Sequence, residues 1–448
     1  MSMMTIKFFQ FILFFALFYT LPTSLLYGQK IGDFKSVVPQ HKQPDTLILP
    51  QTHTFQFLIK TGDELSDGRK LGSTLDFTGY IPIDGSKEGW LSISSENEVA
   101  EVSVLRIKLN PTNKKWEIIT SGKVDFYSPF VKDAIHTVSQ LCSGTVTPWG
   151  TVIVAEENDK EGDGNNDGYH DVGWLIEINP YKWQIATTDQ QLRPQKLWSM
   201  GRFQHENLAI ASDNRTCYMG ADSKKFGFLY KYIAKRPNIL TDGDLYVLCT
   251  ENRDVNSTRG IWKKVPNKTL YERNNTNIIA ETLLATNFSG VEDVEVGPDG
   301  HIYFAAKYSG RIYRVKDLGD EAEIEVYVEA KNYEITAEDG KKYSVNWHSG
   351  KTGCDNLAFD GDGNLWVCND GGNNGIWVVR KDHSMKNPKI DLFAETPKGC
   401  EPTGITFSPD YTYLFISLQN PNSTGRQKDK FGTEVQYNTS HTLVIQRR

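Results

Sequence analysis

Residues 141–158 have the sequence LCSGTVTPWGTVIVAEEN, in which two apolar runs flank a Pro-Trp-Gly turn. This pattern predicts two β-strands joined in a hairpin. Strands joined by a tight turn are antiparallel, so Cys142 at the entry and Glu156 and Glu157 at the exit lie at the same end of the hairpin. The segment therefore predicts that a thiol and two carboxylates meet at one edge of a sheet.

The same pattern recurs along the chain, with an acidic residue in place of the cysteine, eight positions before the turn residue. Four copies share this spacing: Cys142 with Gly150, Glu206 with Asn214, Glu292 with Gly300, and Asp355 with Gly363. A fifth copy from Thr403 has Tyr411 at the turn and Glu401 just outside the counted position. A sixth copy, from Phe77, fits only in its second half. Such repeats, about 40 to 90 residues apart, are typical of β-propeller blades with insertions between them.

Equivalent positions of the repeat converge if these hairpins supply the inner strands of successive blades around a central channel. The predicted metal ligands at that end are Cys142, Glu156, Glu157, Glu206, Glu292, Asp355 and Glu401. Carboxylates so close together either share protons or are neutralised by multivalent cations. A thiolate among carboxylates indicates a mixed site, with a thiophilic transition metal beside a hard ion such as calcium.

The composition favours a mostly β protein and argues against nucleic-acid binding. The chain has 37 Gly, 20 Tyr, 22 Phe and 10 Trp residues, and many short alternating segments, as expected for strands in one large closed β domain. The formal net charge is −7, without a block of basic residues or basic residues interleaved with aromatics. A nucleic-acid partner is therefore not expected.

An apolar run after Lys7 predicts a secretory signal peptide over residues 1–28. A retained N-terminal helix is the alternative, because the run is long enough to span a membrane with tilt. We expect residues 29–448 to form a single β-propeller domain in a monomeric periplasmic or secreted protein, with no membrane span after cleavage. Residues 29–75 are an N-terminal arm or contain the strand that closes the ring, for which residues 55–60 and 442–446 are both candidates.

The segment after the first hairpin contains a second potential ion site. Asp163, Asn165, Asp167 and Asp171 have the oxygen spacing of a calcium loop, but Trp174 stands where the bidentate glutamate belongs. A solvated surface loop rich in Gly, Asn and Asp is an equally good interpretation.

Two basic residues are candidates for catalytic contact with an anion. Arg202 either binds an anion or pairs with a surface carboxylate. Lys307 takes the place equivalent to Glu157 in its own hairpin, where it is a structural counter-ion or an oxyanion contact. The nearby His205 is a metal ligand, a residue that orients Glu206, or a hydrogen-bonded structural residue.

Six cysteines are present, at positions 142, 217, 249, 354, 368 and 400. Cys354 and Cys400 each precede a predicted ligand, and export would permit a disulfide between them. The other interpretation is that cysteines within strands, such as Cys217, Cys249 and Cys368, are small buried hydrophobes. There is no CxxC pair, so a zinc module is not supported.

Several motifs, in order along the chain, resemble the PhoX-type alkaline phosphatases. They are CSGTVTPWGTVIVAEE from Cys142, GRFQHE from Gly201, YMGAD from Tyr218, DGDLYV from Asp242, CDNLAFD from Cys354 and EPTGITFSPD from Glu401. The resemblance extends from about residue 79 to residue 422. It implies an exported six-bladed β-propeller whose channel holds an iron–calcium cluster that hydrolyses phosphate monoesters. It also implies that Cys142 is an iron thiolate ligand and that Glu156, Glu157, Glu206, Glu292 and Asp355 bind iron and calcium.

The chain departs from that family at positions expected to bind phosphate. Gly290 and Val291 replace an Arg-Pro pair, Ser94 and Ser95 replace an Asn-His pair, and Asn420 replaces the histidine of a His-Pro pair. A missing arginine removes a bidentate phosphate contact, for which Lys307, Arg202 and Arg311 are candidate replacements.

These observations lead us to predict a metal-dependent phosphohydrolase acting on a small phosphate ester. One alternative is a non-catalytic or weakly active calcium-stabilised propeller that binds a ligand or partner at the same face. The other is a hydrolase of a different ester, such as a phosphodiester or a lactone.

Overall fold

The computed structural model describes residues 30–126, 135, 137–186, 195–346, 353–371 and 374–448, and strands make up most of the secondary structure. The predicted signal peptide, residues 1–28, lies outside the described residues. No helix among the described residues is long and apolar enough to cross a membrane.

The first strand, β1 (His53–Lys60), is followed by two four-stranded antiparallel sheets. The first sheet contains β2 (Leu75–Asp84), β3 (Glu88–Ser95), β4 (Glu101–Leu109) and β5 (Trp116–Lys123). The second contains β6 (Leu141–Val146), β7 (Val152–Glu156), β8 (Leu175–Asn179) and β9 (Gln184–Ile185). Each sheet pairs its strands in chain order, so each is an antiparallel meander.

A nine-stranded sheet occupies the middle of the chain. It contains β10 (His205–Ile210), β11 (Thr216–Ala221), β12 (Leu229–Arg236), β13 (Ile239–Thr250), β14 (Arg259–Val265), β15 (Val291–Val296), β16 (Ile302–Ala306), β17 (Arg311–Asp317) and β18 (Glu321–Val328). The strand order is β10-β11-β12-β13-β14-β18-β17-β16-β15, so two four-stranded meanders are joined at their outer edges through β14. Two short helices, α1 (Leu270–Asn274) and α2 (Thr276–Thr282), follow β14. Short 3-10 turns occupy Trp198–Met200, Glu251–Arg253 and Lys307–Ser309.

Two further sheets complete the chain. After the hairpin β19 (Asn332–Thr336) and β20 (Lys342–Asn346), one sheet contains β21 (Cys354–Phe359), β22 (Leu365–Asn369), β23 (Gly375–Val379) and β24 (Ile390–Glu395). The remaining strands are β25 (Glu401–Phe407), β26 (Tyr413–Gln419), the hairpin β27 (Arg426–Lys428) and β28 (Glu434–Gln436), and β29 (His441–Arg447). The last sheet has the order β1-β29-β26-β25, with Phe55 opposite Ile445. Both predicted candidates for a closing strand therefore lie in this sheet, side by side.

The first strands of the sheets pack side by side around a common axis. The packing order is β2, β6, β10, β15, β21 and β25, and β25 packs in turn against β2. The sheets are all antiparallel and radiate from these first strands, so the arrangement is propeller-like, as the repeat predicted.

Each of these first strands contains a β-bulge, and in every one except β2 the bulge lies at or near a predicted ligand. The register shifts fall between Leu75 and Thr78, Leu141 and Gly144, His205 and Leu208, Val291 and Val294, Cys354 and Leu357, and Thr403 and Thr406. A bulge leaves the extra residue out of the ladder and re-aims its side chain. The bulges thus recur at the position where the sequence placed the thiol and the acids.

The five residues that the repeat places at its turns all have a positive φ angle. The φ angles are 85° at Gly150, 55° at Asn214, 77° at Gly300, 82° at Gly363 and 57° at Tyr411. These left-handed conformations close the hairpins that begin at the bulges.

Aromatic side chains form the contact between the first and last sheets. The Trp116 ring lies 5.3 Å from that of Tyr413 and 5.2 Å from that of Phe415, and Phe415 stacks on Tyr80 at 4.9 Å. Burial of one such ring contributes about 2 to 3 kcal/mol. Because Trp116 is in β5 and Phe415 is in β26, this packing stabilises the junction between the beginning and the end of the ring.

All six cysteines are free, buried thiols. The predicted disulfide between Cys354 and Cys400 is therefore wrong. Cys354 Sγ instead lies 3.3 Å from the carbonyl oxygen of Arg311, and Cys400 Sγ lies 3.5 Å from that of Glu401. Both thiols are packed as small hydrophobic groups, as are Cys217, Cys249 and Cys368.

Candidate metal centre

Among the described residues, buried and half-buried ligand atoms gather at one end of the axis in three groups. Within each group, one ligand atom per residue lies within 4.8 Å of the others. The groups are Cys142, Glu157 and Glu206; Glu206, Asp222 and Glu292; and Asp355, Asp370 and Glu401. We call these residues, together with Lys307, the acidic cluster.

The acidic cluster is built from two positions of the hairpin repeat. Entry residues stand at the bulges of the first strands: Cys142, Glu206, Glu292 and Asp355. Exit residues directly follow the second strands: Glu157 after β7, Asp222 after β11, Lys307 after β16 and Asp370 after β22. Antiparallel pairing brings entry and exit to the same edge, so each hairpin contributes two side chains to the cluster. Glu401 begins β25 and joins the group of Asp355 and Asp370.

Lys307 is the cation among these carboxylates. Its Nζ lies 2.9 Å from Glu292 Oε1, 3.2 Å from Asp355 Oδ2 and 3.6 Å from Asp370 Oδ2. Burial alone would lower the pKa of Lys307, but the attraction of Glu292, Asp355 and further carboxylates raises that pKa well above its usual value. Lys307 is therefore charged at neutral pH.

Cys142 is enclosed by the backbone of neighbouring strands. Its Sγ lies 3.2 Å from the carbonyl oxygen of His205 and 3.8 Å from that of Ala155. Burial, followed by the negative charge of Glu206 and Glu157, raises the pKa of the Cys142 thiol well above its usual value. By itself, this environment keeps the thiol protonated.

The carboxylates of the acidic cluster are held in an unfavourable environment. Burial, together with neighbouring negative charge, raises the pKa of Glu157, Glu206 and Glu292 well above the usual range, and burial raises that of Asp355 to about 6. Among the described residues, Glu292 Oε1 is paired with Lys307, whereas Glu292 Oε2 and Asp222 Oδ1 are buried without a hydrogen-bond donor. Buried oxygens without donors are costly in free energy, which makes them suited to bind cations.

A further pair of acids borders the acidic cluster. Gln419 Nε2 donates to Asp76 Oδ2 at 2.9 Å and to Glu96 Oε2 at 3.0 Å. Asp76 stands at the bulge of β2, and Glu96 follows β3, so this pair occupies the entry and exit positions of the first sheet. The ligands predicted from the sequence did not include Asp76, Asp222 or Asp370. Asp370 carried a usable signal, because it follows Asp355 by fifteen positions, as Glu157 follows Cys142 and Lys307 follows Glu292.

Glu156, a predicted ligand, lies outside the three groups. Both of its carboxylate oxygens accept hydrogen bonds from Lys196 Nζ at 2.7 Å. Backbone amides of Ser139 and Trp174 also donate to it, each at 3.1 Å. Adjacent residues of an extended chain point to opposite sides, so Glu156 faces the space between sheets while Glu157 faces the axis. The geometry gives no support to Glu156 as a metal ligand.

Arg202, predicted as an anion contact, binds backbone carbonyls instead. Its Nε donates to the carbonyl of Val172 at 2.8 Å, and its Nη2 donates to the carbonyls of Asp159 and Lys160. These contacts fix both ends of the loop between β7 and β8. Arg311, another candidate, pairs with Glu329 at 2.8 Å. Among the predicted basic contacts, the geometry supports Lys307.

The predicted calcium loop uses its acidic side chains within the loop. Asp163 accepts hydrogen bonds from the amides of Asp167 and Gly168, each at 3.0 Å, and Asp171 Oδ2 accepts one from Gly164 at 3.0 Å. These contacts are typical of a surface loop ordered by Asx turns. The loop residues are not in any of the three ligand groups.

His205 is a structural residue. Its Nε2 lies 2.9 Å from the carbonyl oxygen of Gly201, and its ring stacks on Phe203 with centroids 3.6 Å apart. Burial lowers the pKa of His205 to about 3, so the ring is neutral. Its place beside Glu206 fixes the beginning of β10 next to the bulge.

Comparisons with known proteins agree with this architecture. A family model described as alkaline phosphatase PhoX matches residues 135–422. Among solved structures, Pseudomonas fluorescens PhoX in complex with vanadate, a transition state analogue, has a TM-score of 0.71 at 20% sequence identity, with coverage of 92% of this chain and 98% of that chain. At that identity, the likeness establishes a shared fold.

Other solved structures are less similar. A putative 6-phosphogluconolactonase from Bacteroides uniformis has a TM-score of 0.43 at 11% identity, covering 88% of this chain and 100% of that chain. A gluconolactonase from Xanthomonas campestris has a TM-score of 0.38 at 9% identity, covering 92% and 99% of the two chains. No curated protein matched the chain.

Proposed function

This chain belongs to the alkaline phosphatase PhoX family, whose model matches residues 135–422, and we propose that it is an exported, metal-dependent phosphohydrolase acting on small phosphate monoesters. The observation that carries the proposal is the acidic cluster, in which Glu292 Oε2 and Asp222 Oδ1 are buried without a hydrogen-bond donor among the described residues. Such a cluster is stable only when cations or protons neutralise it. Lys307 supplies one positive charge, fewer than the carboxylates around it require.

The donor set fits a mixed cluster of iron and calcium. Cys142 would bind iron through its thiolate, with Glu157 and Glu206 beside it. Asp222, Glu292, Asp355, Asp370 and Glu401 offer hard oxygen ligands of the kind that calcium prefers. When bound, these ions would supply the positive charge that neutralises a phosphoryl group during displacement.

The protein's own groups would hold and orient the ester. Lys307 Nζ is near three carboxylates and is the charged donor nearest to the ligand groups, so it would donate to a phosphate oxygen. Its Cα follows the last residue of β16, a strand in the middle of a sheet. A rigid strand end positions the ammonium group more precisely than a long loop would.

Gly290 occupies the position where the family has an arginine that contacts phosphate. Gly290 has a φ of 74°, and a Cβ atom there would lie 2.6 Å from both Asp222 Oδ1 and the Tyr308 ring. An arginine at this position would require a strained backbone and displacement of the Asp222 and Tyr308 side chains. Lys224 Nζ lies 4.5 Å from the centre of the Tyr308 ring, so a lysine stands over the ring that fills the space. We infer that Lys224 replaces the missing arginine as a phosphate contact.

The proposal includes the number of blades, the position of the metal ions and the export of the protein. We infer six blades, counting the two meanders of the nine-stranded sheet as separate blades and the last sheet as the blade that closes the ring. The metal ions would lie in the channel at the end that holds the bulges. The predicted signal peptide over residues 1–28 would direct the monomer to the periplasm or the medium.

Elemental analysis combined with an activity assay tests the proposed function. The purified mature protein is expected to contain iron and calcium in a fixed ratio and to release phosphate from an aryl phosphate at alkaline pH with calcium present. Cys142→Ala should lose iron and activity together, whereas the matched control Cys217→Ala, which removes a buried thiol from β11, should lose neither.

Three outcomes would decide against parts of this proposal. Full iron content in Cys142→Ala would exclude the thiolate ligand. Calcium without phosphate release would favour a calcium-stabilised binding protein. Metal binding with hydrolysis of a phosphodiester or a lactone, but not of the monoester, would place the same cluster in a different hydrolase.

A further inference from the structure

A cavity lies at the end of the first strands that is opposite to the acidic cluster. It has a volume of about 360 Å³ and is lined by residues three positions beyond the entry residues, such as Thr145, Ala209, Glu295 and Ala358. Three residues of a strand span about 10 Å, so this cavity and the acidic cluster lie at opposite ends of the axis. Pro148 and Pro409, at exposed turns, form part of its rim.

A layer of buried polar side chains separates the two sites. Asn207 exchanges two hydrogen bonds with the backbone of Val294, at 3.0 and 2.9 Å. Asp293 accepts from Ser143 Oγ at 2.7 Å and from the amide of Leu357 at 2.9 Å. These contacts join β15 to its neighbours β10 and β21 and, across the axis, to β6, so a ligand in the far cavity would not contact the acidic cluster.

Glu295 is the one carboxylate in the lining of this cavity, and the lining contains no lysine, arginine or histidine. Its side chain has no hydrogen bond or ion pair with any residue in the described part of the chain, unlike the neighbouring Asp293. Burial, with a smaller contribution from Asp293, raises the pKa of Glu295 to about 8. The carboxylate thus carries a desolvation cost that a cationic ligand would relieve.

Aromatic rings form much of the remaining wall. They belong to Phe77, Tyr80, Phe359, Phe407 and Tyr411. The Phe407 and Tyr411 rings lie 5.8 Å apart and are tilted towards each other. Aromatic faces bind both apolar groups and cations, whereas they do not favour anions.

We propose that this cavity binds a small organic ammonium ion, with the ammonium group on Glu295 and its apolar body against the aromatic wall. A metal ion would need several oxygen ligands, and the lining offers one carboxylate. An anion would meet the carboxylate and the aromatic faces without a compensating positive charge. A neutral ligand would not offset the desolvation cost of the Glu295 carboxylate.

Calorimetric titration of the full-length mature, metal-loaded protein tests this site with three probes of similar shape and different charge: 2-phenylethylammonium, 2-phenylethanol and 3-phenylpropanoate. We expect the ammonium ion to bind about tenfold or more tightly than the alcohol, and the carboxylate not to bind. Glu295→Gln should weaken ammonium binding by about tenfold or more, which is the effect of losing a charge-assisted contact. Glu323→Gln, which changes an exposed glutamate of β18, is the matched control and should bind as the wild type does.

Phe407→Leu provides a second variant, which keeps Glu295 and removes one ring, and it should also weaken ammonium binding. Iron content, calcium content and phosphate release should be unchanged in Glu295→Gln, which separates this site from the acidic cluster. The proposal is overturned if the alcohol binds as tightly as the ammonium ion, if both variants retain full affinity, or if no binding is detected up to about 10 mM ammonium ion.

Discussion

Lys307 Nζ lies 2.9 Å from Glu292 Oε1, and the two residues are the exit and entry positions of one hairpin. The equivalent exit positions in three other hairpins are acidic: Glu157, Asp222 and Asp370. One hairpin therefore places a cation where the others place an anion. This exchange makes the cluster asymmetric and gives it a charged donor that is not a metal ligand.

We expect Lys307→Met to lower kcat/KM for an aryl phosphate by about 100-fold, because it removes a charged donor from a site where negative charge develops. Iron and calcium content should be retained, since the ligands remain. Lys316→Met, at an exposed position of β17, is the control for loss of a lysine. Unchanged kinetics would show that Lys307 is only a structural counter-ion.

Lys224→Ala should raise KM for the same substrate by about tenfold with little change in kcat, because it removes a charge that binds phosphate before and during the reaction alike. The neighbouring Lys225 has its Nζ 4.6 Å from the Phe226 ring and offers a matched control. Steady-state kinetics of Lys224→Ala and Lys225→Ala make the comparison. An equal effect of both variants would indicate general attraction by surface charge instead of a specific contact.

The buried pair of Lys196 and Glu156 should be structural. Lys196→Met leaves the Glu156 carboxylate buried without its counter-ion and should lower the free energy of unfolding by about 3 to 5 kcal/mol. The double variant Lys196→Met/Glu156→Leu should recover much of that loss, because neither charge remains buried. Urea unfolding of the single and double variants measures the coupling.

Metal content gives a separate test of the same pair. The double variant should keep its iron and calcium, since the Glu156 carboxylate is engaged by Lys196 and lies outside the ligand groups. Loss of metal from a folded double variant would restore Glu156 as a ligand.

Acidification should destabilise the fold through His441. Burial, with a smaller effect of Lys60, lowers the pKa of His441 to about 4 from 6.5. The unfolded chain therefore binds a proton below pH 6.5, while the folded protein does not until about pH 4, so stability falls as the pH drops across this window. One histidine accounts for up to about 3 kcal/mol of this loss.

His441→Phe isolates that contribution. The ring lies 6.4 Å from that of Phe57 and 5.4 Å from that of Tyr437, so phenylalanine suits the packing. Thermal unfolding from pH 7 to pH 4.5 should show a smaller loss of stability for His441→Phe than for the wild type. The exposed-site control His41→Phe should follow the wild-type curve, and an identical slope in His441→Phe would contradict the assignment.

Local spacing was enough to predict the repeated hairpins, the positions of their turn residues and most of the acidic cluster. Cys142 and Gly150 are separated by the same number of residues as Glu292 and Gly300, and antiparallel pairing turns that spacing into a shared position at one edge. The motifs around Cys142 and Glu401 also indicated the family that the family model confirms. These features depend on residues close together in the chain, which is why the sequence contained them.

The tertiary structure decided which charged groups meet across large separations in sequence. Lys196 neutralises Glu156 from forty positions away, Arg202 binds the loop before β8 instead of an anion, and Cys354 and Cys400 remain apart as thiols. The cavity around Glu295 likewise exists only because the first strands are packed around one axis. A side chain's chemistry follows from its type, but its partner depends on the packing of sheets that the local pattern does not encode.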